Sequence, residues 1–548
     1  MPNMNPRLSL TRRLFYCALS AGLVLVSFPS FLEKTLTPAT AFFAWFALVP
    51  FFLALREAKP KLAALLGFFF GFLQLGGILY WIAILQAAEY LSGLGWAVLV
   101  FYLSLYFALF GWIYSFLTSR FKVSGVWIAP FVWVGLEYLR GSRPWGGFNW
   151  GEIGYSQAPY PVLLVFTTIA GVYGLTFLIV WFNVLLAKAV EPRVLLSDAG
   201  ESRVSGWPRW KYFAFPLTVL FLVIVWGFYE VHSVSLKKMG TVVLLQPSID
   251  QTIKWSKSNE TATYDKLEKL VEQAQLTHPD LIVWPETAAP DYLLLTPHIL
   301  ERVRDIVIKS KTFNLIGCLD ATRKTGADVS YFNAAAHFSP DGQSQGVYHK
   351  RHLVPFGEFV PFQKYLTFLG PVVGNLGDFD SGDSYQKFLT NTFSYSPMIC
   401  YEVIFPDDAR RALLTRADAL VNISNDAWFG WTASPYQHAM MALVRSAEER
   451  KPLLRSANTG ISLITDPLGN ILSSTHLYED QVLTGDVWVT SSEPTLYARL
   501  GNWLPRLCLV IVFFLIVAAF VKRKRTTINT VVKPGILLNL AKEETDGT

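Results

Sequence analysis

Two patterns of apolar and polar positions divide this chain. Long apolar stretches occupy residues 14–32, 35–55, 62–88, 91–118, 123–139, 161–187 and 212–229, and one more covers 502–521. A helix needs about 20 apolar residues to cross a hydrocarbon core of about 30 Å, so the pattern predicts eight membrane spans. The stretches at 62–88 and 91–118 are the clearest, whereas 123–139 is short, contains Pro130 and ends at Glu137. Between 236 and 490 the pattern changes. Short β-rich runs at Thr241–Leu245, Leu281–Trp284, Phe313–Cys318, Phe332–His337, Tyr395–Cys400 and Ala419–Ile423 alternate with amphipathic stretches at 260–275, 297–310 and 435–450. Alternating strands and helices over such a length predict a layered α/β domain, large enough to bury its own core.

Composition agrees with this division. The 548 residues are 52% hydrophobic and 16% charged, against about 25% charged in soluble proteins. The net charge of +6 gathers beside the apolar stretches and forms no stripe of the kind that binds nucleic acid. Arg12 and Arg13 before the first stretch resemble the start of a secretory leader, but no small-x-small cleavage pattern follows, and the stretch is read as a helix. Of the four cysteines, Cys17 and Cys508 lie in apolar runs, and Cys318 ends a strand run. No Cys-x-x-Cys or His/Cys cluster occurs, so neither a disulfide framework nor a metal site is expected.

The basic residues also set an orientation. Cytoplasmic loops favour Lys and Arg. Basic groups stand at Arg7–Arg13, Arg56–Lys61, Arg120–Lys122, Lys188–Lys211 and Lys522–Arg525, the start of the chain and every second exit. This pattern predicts an even number of spans with both termini in the cytoplasm. It predicts 230–498 on the opposite face, together with the loop 140–160, where Arg140 and Arg143 run against the rule. The aromatic residues of that loop, Trp145, Phe148, Trp150 and Tyr155, are expected either at the membrane interface as substrate-side anchors or as a plain aromatic belt. The expected divisions are a seven-helix membrane part at 1–232, a catalytic domain at 233–495, an eighth helix at 496–525 and a cytoplasmic tail at 526–548.

The chemistry concentrates in the α/β block. Glu286 follows Trp284-Pro285, Lys350 follows Tyr348-His349, and Cys400 ends the run Ser396–Ile399. Each stands at or near a strand end, where layered α/β folds collect their reactive groups. A thiol needs a base and a positive neighbour to attack a carbonyl carbon. Glu286 can take the proton, Lys350 can stabilise thiolate and oxyanion, and the Tyr401 amide would point into the same hole. Glu358, in the turn-rich His352–Pro361, can orient Lys350. Each has a plainer reading: a core cysteine, a turn glutamate, a solvated lysine. His349, His352 and His438 are expected to pack or hydrogen-bond, and Asp426 to order its loop.

These residues resemble the nitrilase (carbon–nitrogen hydrolase) superfamily, whose Glu–Lys–Cys triad stands on an α-β-β-α sandwich. The match lies in Trp284-Pro285-Glu286, Tyr348-His349-Lys350-Arg351 and Cys400-Tyr401-Glu402. With His352–Pro361, Ile423–Gly430, Arg455–Ser462 and the apolar stretches, the whole chain is similar to the superfamily's membrane-bound apolipoprotein N-acyltransferases. The resemblance implies an acyl chain passed from a phospholipid such as phosphatidylethanolamine to Cys400 as a thioester, and then to the N-terminal amine of diacylglyceryl-modified apolipoproteins. It also implies that Glu286 is the base, Lys350 the oxyanion stabiliser and Glu358 an essential support. Trp255 would be a substrate-loop residue, and Tyr401 and Glu402 would flank the nucleophile. The expected setting is the periplasmic face of a bacterial inner membrane, as a monomer, with no cofactor, metal or nucleic acid. Two stretches depart from the family, Pro247 where glycine is common and a looser Gly147–Tyr155.

Two other functions compete. A membrane-tethered amidase would use the same triad on a small amide, with water as second nucleophile. The apolar stretches Phe356–Leu369 and Trp428–Trp431 favour a lipid-facing entrance instead. A transporter or receptor would place polar residues along a path through the spans, but Glu89, Glu137 and Glu152 fall at span ends or in loops.

Overall fold

Glu286, Lys350 and Cys400 are brought together by two face-to-face sheets. The protein is described here by a computed structural model covering residues 8–85, 89–121, 125–142, 147–191, 208–323, 329–359 and 379–531. The first sheet comprises β1 (Leu236–Gln246), β2 (Leu281–Val283), β3 (Ala289–Tyr292), β4 (Phe313–Arg323), β5 (Val329–Phe338), β6 (Ser344–His349) and, from the end of the domain, β13 (Gln481–Thr490). Its order is β13-β1-β2-β4-β5-β6, with β3 beside β4. The second comprises β7 (Phe388–Leu389), β8 (Ser394–Ile399), β9 (Ala419–Ser424), β10 (Leu453–Ala457), β11 (Leu463–Thr465) and β12 (Ile471–Ser474), in unbroken order from β12 to β7.

The sheets meet through Val242, Leu244, Leu281, Val283 and Leu315 on one side and Tyr395, Ile399, Val421, Ile423 and Leu454 on the other, all buried. Behind the first sheet pack helices Glu260–Gln275 and Pro297–Ser310. Tyr264, Leu267, Leu270, Val271 and Ala274 fall at helical spacing on the buried face, the apolar stripe expected of an amphipathic helix. Behind the second sheet lie helices Pro406–Leu413 and Ser434–Glu449. The domain is therefore an α-β-β-α sandwich. The six strand runs read from the sequence all appear, though β8 ends at Ile399, one residue before the cysteine.

Helix Ser434–Glu449 departs from its expected amphipathic character, because all but one of its residues are buried. Its outer face is covered by the membrane part, and one continuous apolar core joins the two. Among the described residues five helices are long and apolar enough to cross a membrane: Pro60–Ile78, Ser92–Phe121, Val172–Val190, Arg209–Ser233 and Trp503–Lys522. The other expected spans take shorter forms. Residues 14–32 give the 17-residue helix Leu10–Val26, and 123–139 gives Ala129–Ser142. The apolar stretch 35–55 is divided among Ala41–Phe43, Ala44–Ala47 and Val49–Leu55, and Pro161–Ala170 precedes the long helix of 161–187. Within the bundle, helices Pro60–Ile78 and Glu89–Phe121 touch at Gly67, where a Cβ would lie 2.1 Å from the Phe107 carbonyl oxygen, the close approach that small residues allow.

A second close approach supports the site itself. β4 passes under the turn that carries Glu286, and a Cβ on Gly317 would lie 2.2 Å from the Pro285 carbonyl oxygen and 2.8 Å from the Glu286 Cα. These are backbone atoms and cannot rotate away. Gly317→Ala is expected to cost about 1–3 kcal/mol of stability and to displace Glu286. Thermal unfolding in detergent checks this; an unchanged transition would contradict it.

Candidate active site

The site is built at three strand ends. β2 leads through Trp284 and Pro285 to Glu286, β6 leads directly to Lys350, and β8 leads directly to Cys400. All three side chains are at least 90% buried. Cys400 has φ +51°, a left-handed conformation that costs about 1–3 kcal/mol in a non-glycine residue.

Glu402 holds this turn. Its Oε2 accepts from the Ile399 amide at 2.6 Å. Its Oε1 accepts from the Tyr348 hydroxyl at 2.8 Å and from the Arg351 and His352 amides at 2.7 and 3.2 Å. One buried carboxylate thus ties the strand entering Cys400 to the segment leaving Lys350, and so to the opposite sheet.

Lys350 donates to Glu358 Oε1 at 2.8 Å and stands 3.6 Å from Glu286 Oε1. Burial opposes its charge, but the carboxylates of Glu358 and Glu286 more than reverse that and raise its pKa, so it is held as ammonium. Glu358 is fixed in turn by the Val354 amide, which donates to Oε2 at 2.8 Å. The Cys400 thiol is pushed up, first by burial and then by the Glu286 carboxylate, while Lys350 pulls it down. A sulfur held this way favours the thiol, which would have to lose its proton before it could act as a nucleophile. Glu286 is itself fixed by two donors: its Oε2 accepts from the Asn425 amide at 2.8 Å and its Oε1 from Asn333 Nδ2 at 2.7 Å.

Four residues here, Asn333, Lys254, Asn425 and Arg455, were given no role by the sequence reading, whereas His438 hydrogen-bonds as expected. Asn333, on β5, donates to Glu286 and, at 2.9 Å, to Glu358 as well. Lys254, 3% exposed, donates to the Glu286 carbonyl oxygen at 3.1 Å, and burial lowers its pKa to about 7 against the pull of Glu286. His438 and Arg455 form a buried network with Asp426 beside Cys400. Asn425 and Arg455 lie inside the two motifs Ile423–Gly430 and Arg455–Ser462, but spacing gives a buried asparagine or lysine no distinguishing mark. Asn333→Leu keeps the volume and removes both bonds. Bonds to charged groups contribute about 1.5–3 kcal/mol, so single-turnover acylation of Cys400 should slow about 10- to 100-fold; an unchanged rate would exclude the role.

The remaining expected residues fall in different places. Tyr401 is buried against Phe405 and His352. Trp255 is 47% exposed, one residue beyond Lys254, with no direct contact to the triad among the described bonds. His349 pairs with Asp320, and His352 with Asp408. Asp426 does more than order its loop, since Arg455 donates to it at 2.8 Å. Trp150 and Tyr155 are not interfacial anchors: they are 2% and 1% exposed, because they pack on the catalytic domain. Trp150 donates to Gln437 Oε1 at 2.7 Å, and the Tyr155 hydroxyl donates to the Ile404 carbonyl at 3.2 Å. Of the residues expected at the entrance, Trp431 and Phe356 are exposed, and Phe362, Tyr365, Leu366, Phe368 and Leu369 lie outside the described residues, as does Trp145.

Known proteins align with both parts of the chain. Residues 241–495 match the carbon-nitrogen hydrolase family, and residues 20–185 match the apolipoprotein N-acyltransferase N-terminal domain. An apolipoprotein N-acyltransferase of Geobacter metallireducens is 36% identical over 502 residues, covering 90% of this chain and 93% of that protein. One from Haemophilus influenzae is 33% identical over 448 residues, covering 78% and 80%. One from Brucella melitensis is 32% identical over 463 residues, covering 81% and 82%.

Proposed function

The chain belongs to the apolipoprotein N-acyltransferase family, a membrane acyltransferase that N-acylates lipoproteins, and from that premise we propose that Cys400, Glu286 and Lys350 carry the reaction in two steps. Glu286 takes the thiol proton as Cys400 Sγ attacks the sn-1 ester carbon of a phosphatidylethanolamine-like phospholipid. Lys350 stabilises the oxyanion. The ester C–O bond breaks, the proton passes from Glu286 to the departing lysophospholipid oxygen, and a thioester remains. The α-amine of the diacylglyceryl-cysteine then attacks the thioester carbon and gives up a proton to Glu286. The C–S bond breaks, the amide forms, and the sulfur is reprotonated. Glu358 and Asn333 orient Lys350 and Glu286, Glu402 holds the nucleophile's turn, and Trp255 contacts substrate from its exposed position.

The observation that carries this reading is the Lys350 ammonium, buried between two carboxylates beside a buried thiol. The setting supports a lipid donor. Long acyl chains cost about 0.8 kcal/mol per CH₂ to expose, and the outer helix of the catalytic layer is covered by membrane helices. Eight spans follow if the shorter apolar helices complete the five long ones, with the catalytic domain on the periplasmic face, as the basic segments require.

Acyl-enzyme trapping tests the proposal. Purified enzyme in detergent is incubated with phosphatidylethanolamine labelled in its sn-1 chain. Label that stays on the protein, leaves with neutral hydroxylamine and is absent from Cys400→Ala supports the thioester. No label, together with hydrolysis of small amides, would move the assignment to a tethered amidase.

A further inference from the structure

Beside Cys400 lies a second set of buried groups that the two steps above do not use; ligand atoms of Cys400, Asp426 and His438 lie within 4.8 Å of one another. His438 is 1% exposed and belongs to helix Ser434–Glu449. Its Nε2 lies 3.2 Å from the Cys400 carbonyl oxygen. A carbonyl only accepts, so Nε2 bears the proton in any state that keeps this bond. Its Nδ1 lies 3.0 Å from Asp426 Oδ1 and 3.1 Å from Arg455 Nη2. Arg455, fully buried, donates to Asp426 Oδ2 at 2.8 Å and to Asn422 Oδ1. Asn422 in turn reaches the same Cys400 carbonyl at 3.5 Å. Both ring nitrogens of His438 are engaged, so the ring is not free to shuttle a substrate proton. What it can do is hold the carbonyl of a residue in left-handed backbone.

The membrane part reaches this histidine directly. The Trp150 ring lies 5.7 Å from the His438 ring. Gln437, the preceding residue, accepts from Trp150 and Trp81 and donates to the carbonyls of Pro29 and Ile78 at 2.7 and 3.2 Å. Three separate membrane segments therefore fix the turn of helix that presents His438.

We propose that His438 is a positioning residue for acyl transfer. Its Nε2–H holds the Cys400 carbonyl, keeping the sulfur aimed at Glu286 and Lys350, and the membrane part sets that grip through Gln437 and Trp150. This rests on the reading of Cys400 as nucleophile. The membrane bundle and the reactive turn are thereby one packed unit.

The test compares His438→Gln, His438→Asn and His438→Ala in the full-length enzyme in detergent. Gln places an amide N–H where Nε2 stood, whereas Asn reaches only the Nδ1 position. Two rates are read: acylation by sn-1-labelled phosphatidylethanolamine, and, without lipid, alkylation of Cys400 by iodoacetamide, followed by mass spectrometry of its peptide. His438→Gln is expected to stay within about threefold of the wild type on both, and Asn and Ala to fall about tenfold or more. Asn as fast as Gln, or Gln as slow as Ala, overturns the proposal, because a packing role does not distinguish an N–H by its position. If Asn and Ala do not accumulate as folded protein, Gln437→Met decides: it cuts the membrane clamp without touching His438 and should slow both rates, and unchanged rates overturn the coupling. A wild type that alkylates at Cys400 but takes no acyl label instead overturns the phospholipid reading and leaves the alkylation comparison to judge His438.

Discussion

Replacement of Cys400 by alanine is expected to reduce acyl transfer on the order of 10⁴- to 10⁶-fold and to leave the fold intact. The first half follows from the chemistry of the site. No other thiol can take over, because the remaining cysteines, Cys17, Cys318 and Cys508, are buried elsewhere in the structure, Cys318 in β4 and the other two in apolar helices. The second half follows from the geometry. Alanine keeps the Cβ and therefore the same left-handed backbone, which Glu402 holds through the Ile399 amide. Thermal unfolding should shift by only a few degrees, whereas labelled phosphatidylethanolamine should leave no acyl group on the protein. Appreciable transfer by the folded variant would remove the covalent mechanism.

Glu286→Gln is the second large effect, expected to slow thioester formation about 10²- to 10⁴-fold. The change is isosteric and keeps an oxygen for the Asn425 amide, so the turn should hold. It removes the carboxylate that the proposal assigns to accept the proton of a thiol that burial keeps protonated. It also removes one of the two carboxylates that hold Lys350 as ammonium, but Glu358 stays at 2.8 Å. The defect should therefore fall on proton removal, and stopped-flow or quenched single-turnover acylation should separate it from lipid binding. A variant that forms the thioester at more than about a tenth of the wild-type rate would show that another group is the base. Asn333→Leu gives the intermediate case: both carboxylates remain, and only the bridge between them is lost.

The sequence by itself pointed to an apolar part and an α/β part, and to the residues that the proposal takes as its reactive groups. Both are local properties. An apolar run of span length, a basic segment after every second run, and β-rich runs ending in Trp-Pro-Glu, Tyr-His-Lys and Met-Ile-Cys can all be read without knowing what touches what. The helices 260–275 and 297–310 were legible for the same reason, since their outer faces stay in water and keep the 3.6-residue alternation. Tertiary structure decided whatever depends on a partner distant in the chain. Trp150 and Tyr155 look like interfacial aromatics in sequence, yet they are buried because residues nearly 300 positions away cover them. Helix Ser434–Glu449 was expected to have a solvent face and has almost none, because membrane helices occupy it. The apolar stretches 35–55 and 161–187 have span-like composition, but the folded chain divides them into shorter helices. The supporting cast of the site was hidden for the same reason. An asparagine between two carboxylates, a lysine under a turn and a histidine beside a cysteine are ordinary polar residues in sequence, and only burial, which makes each unpaired polar group costly, turns their hydrogen bonds into constraints on the chemistry.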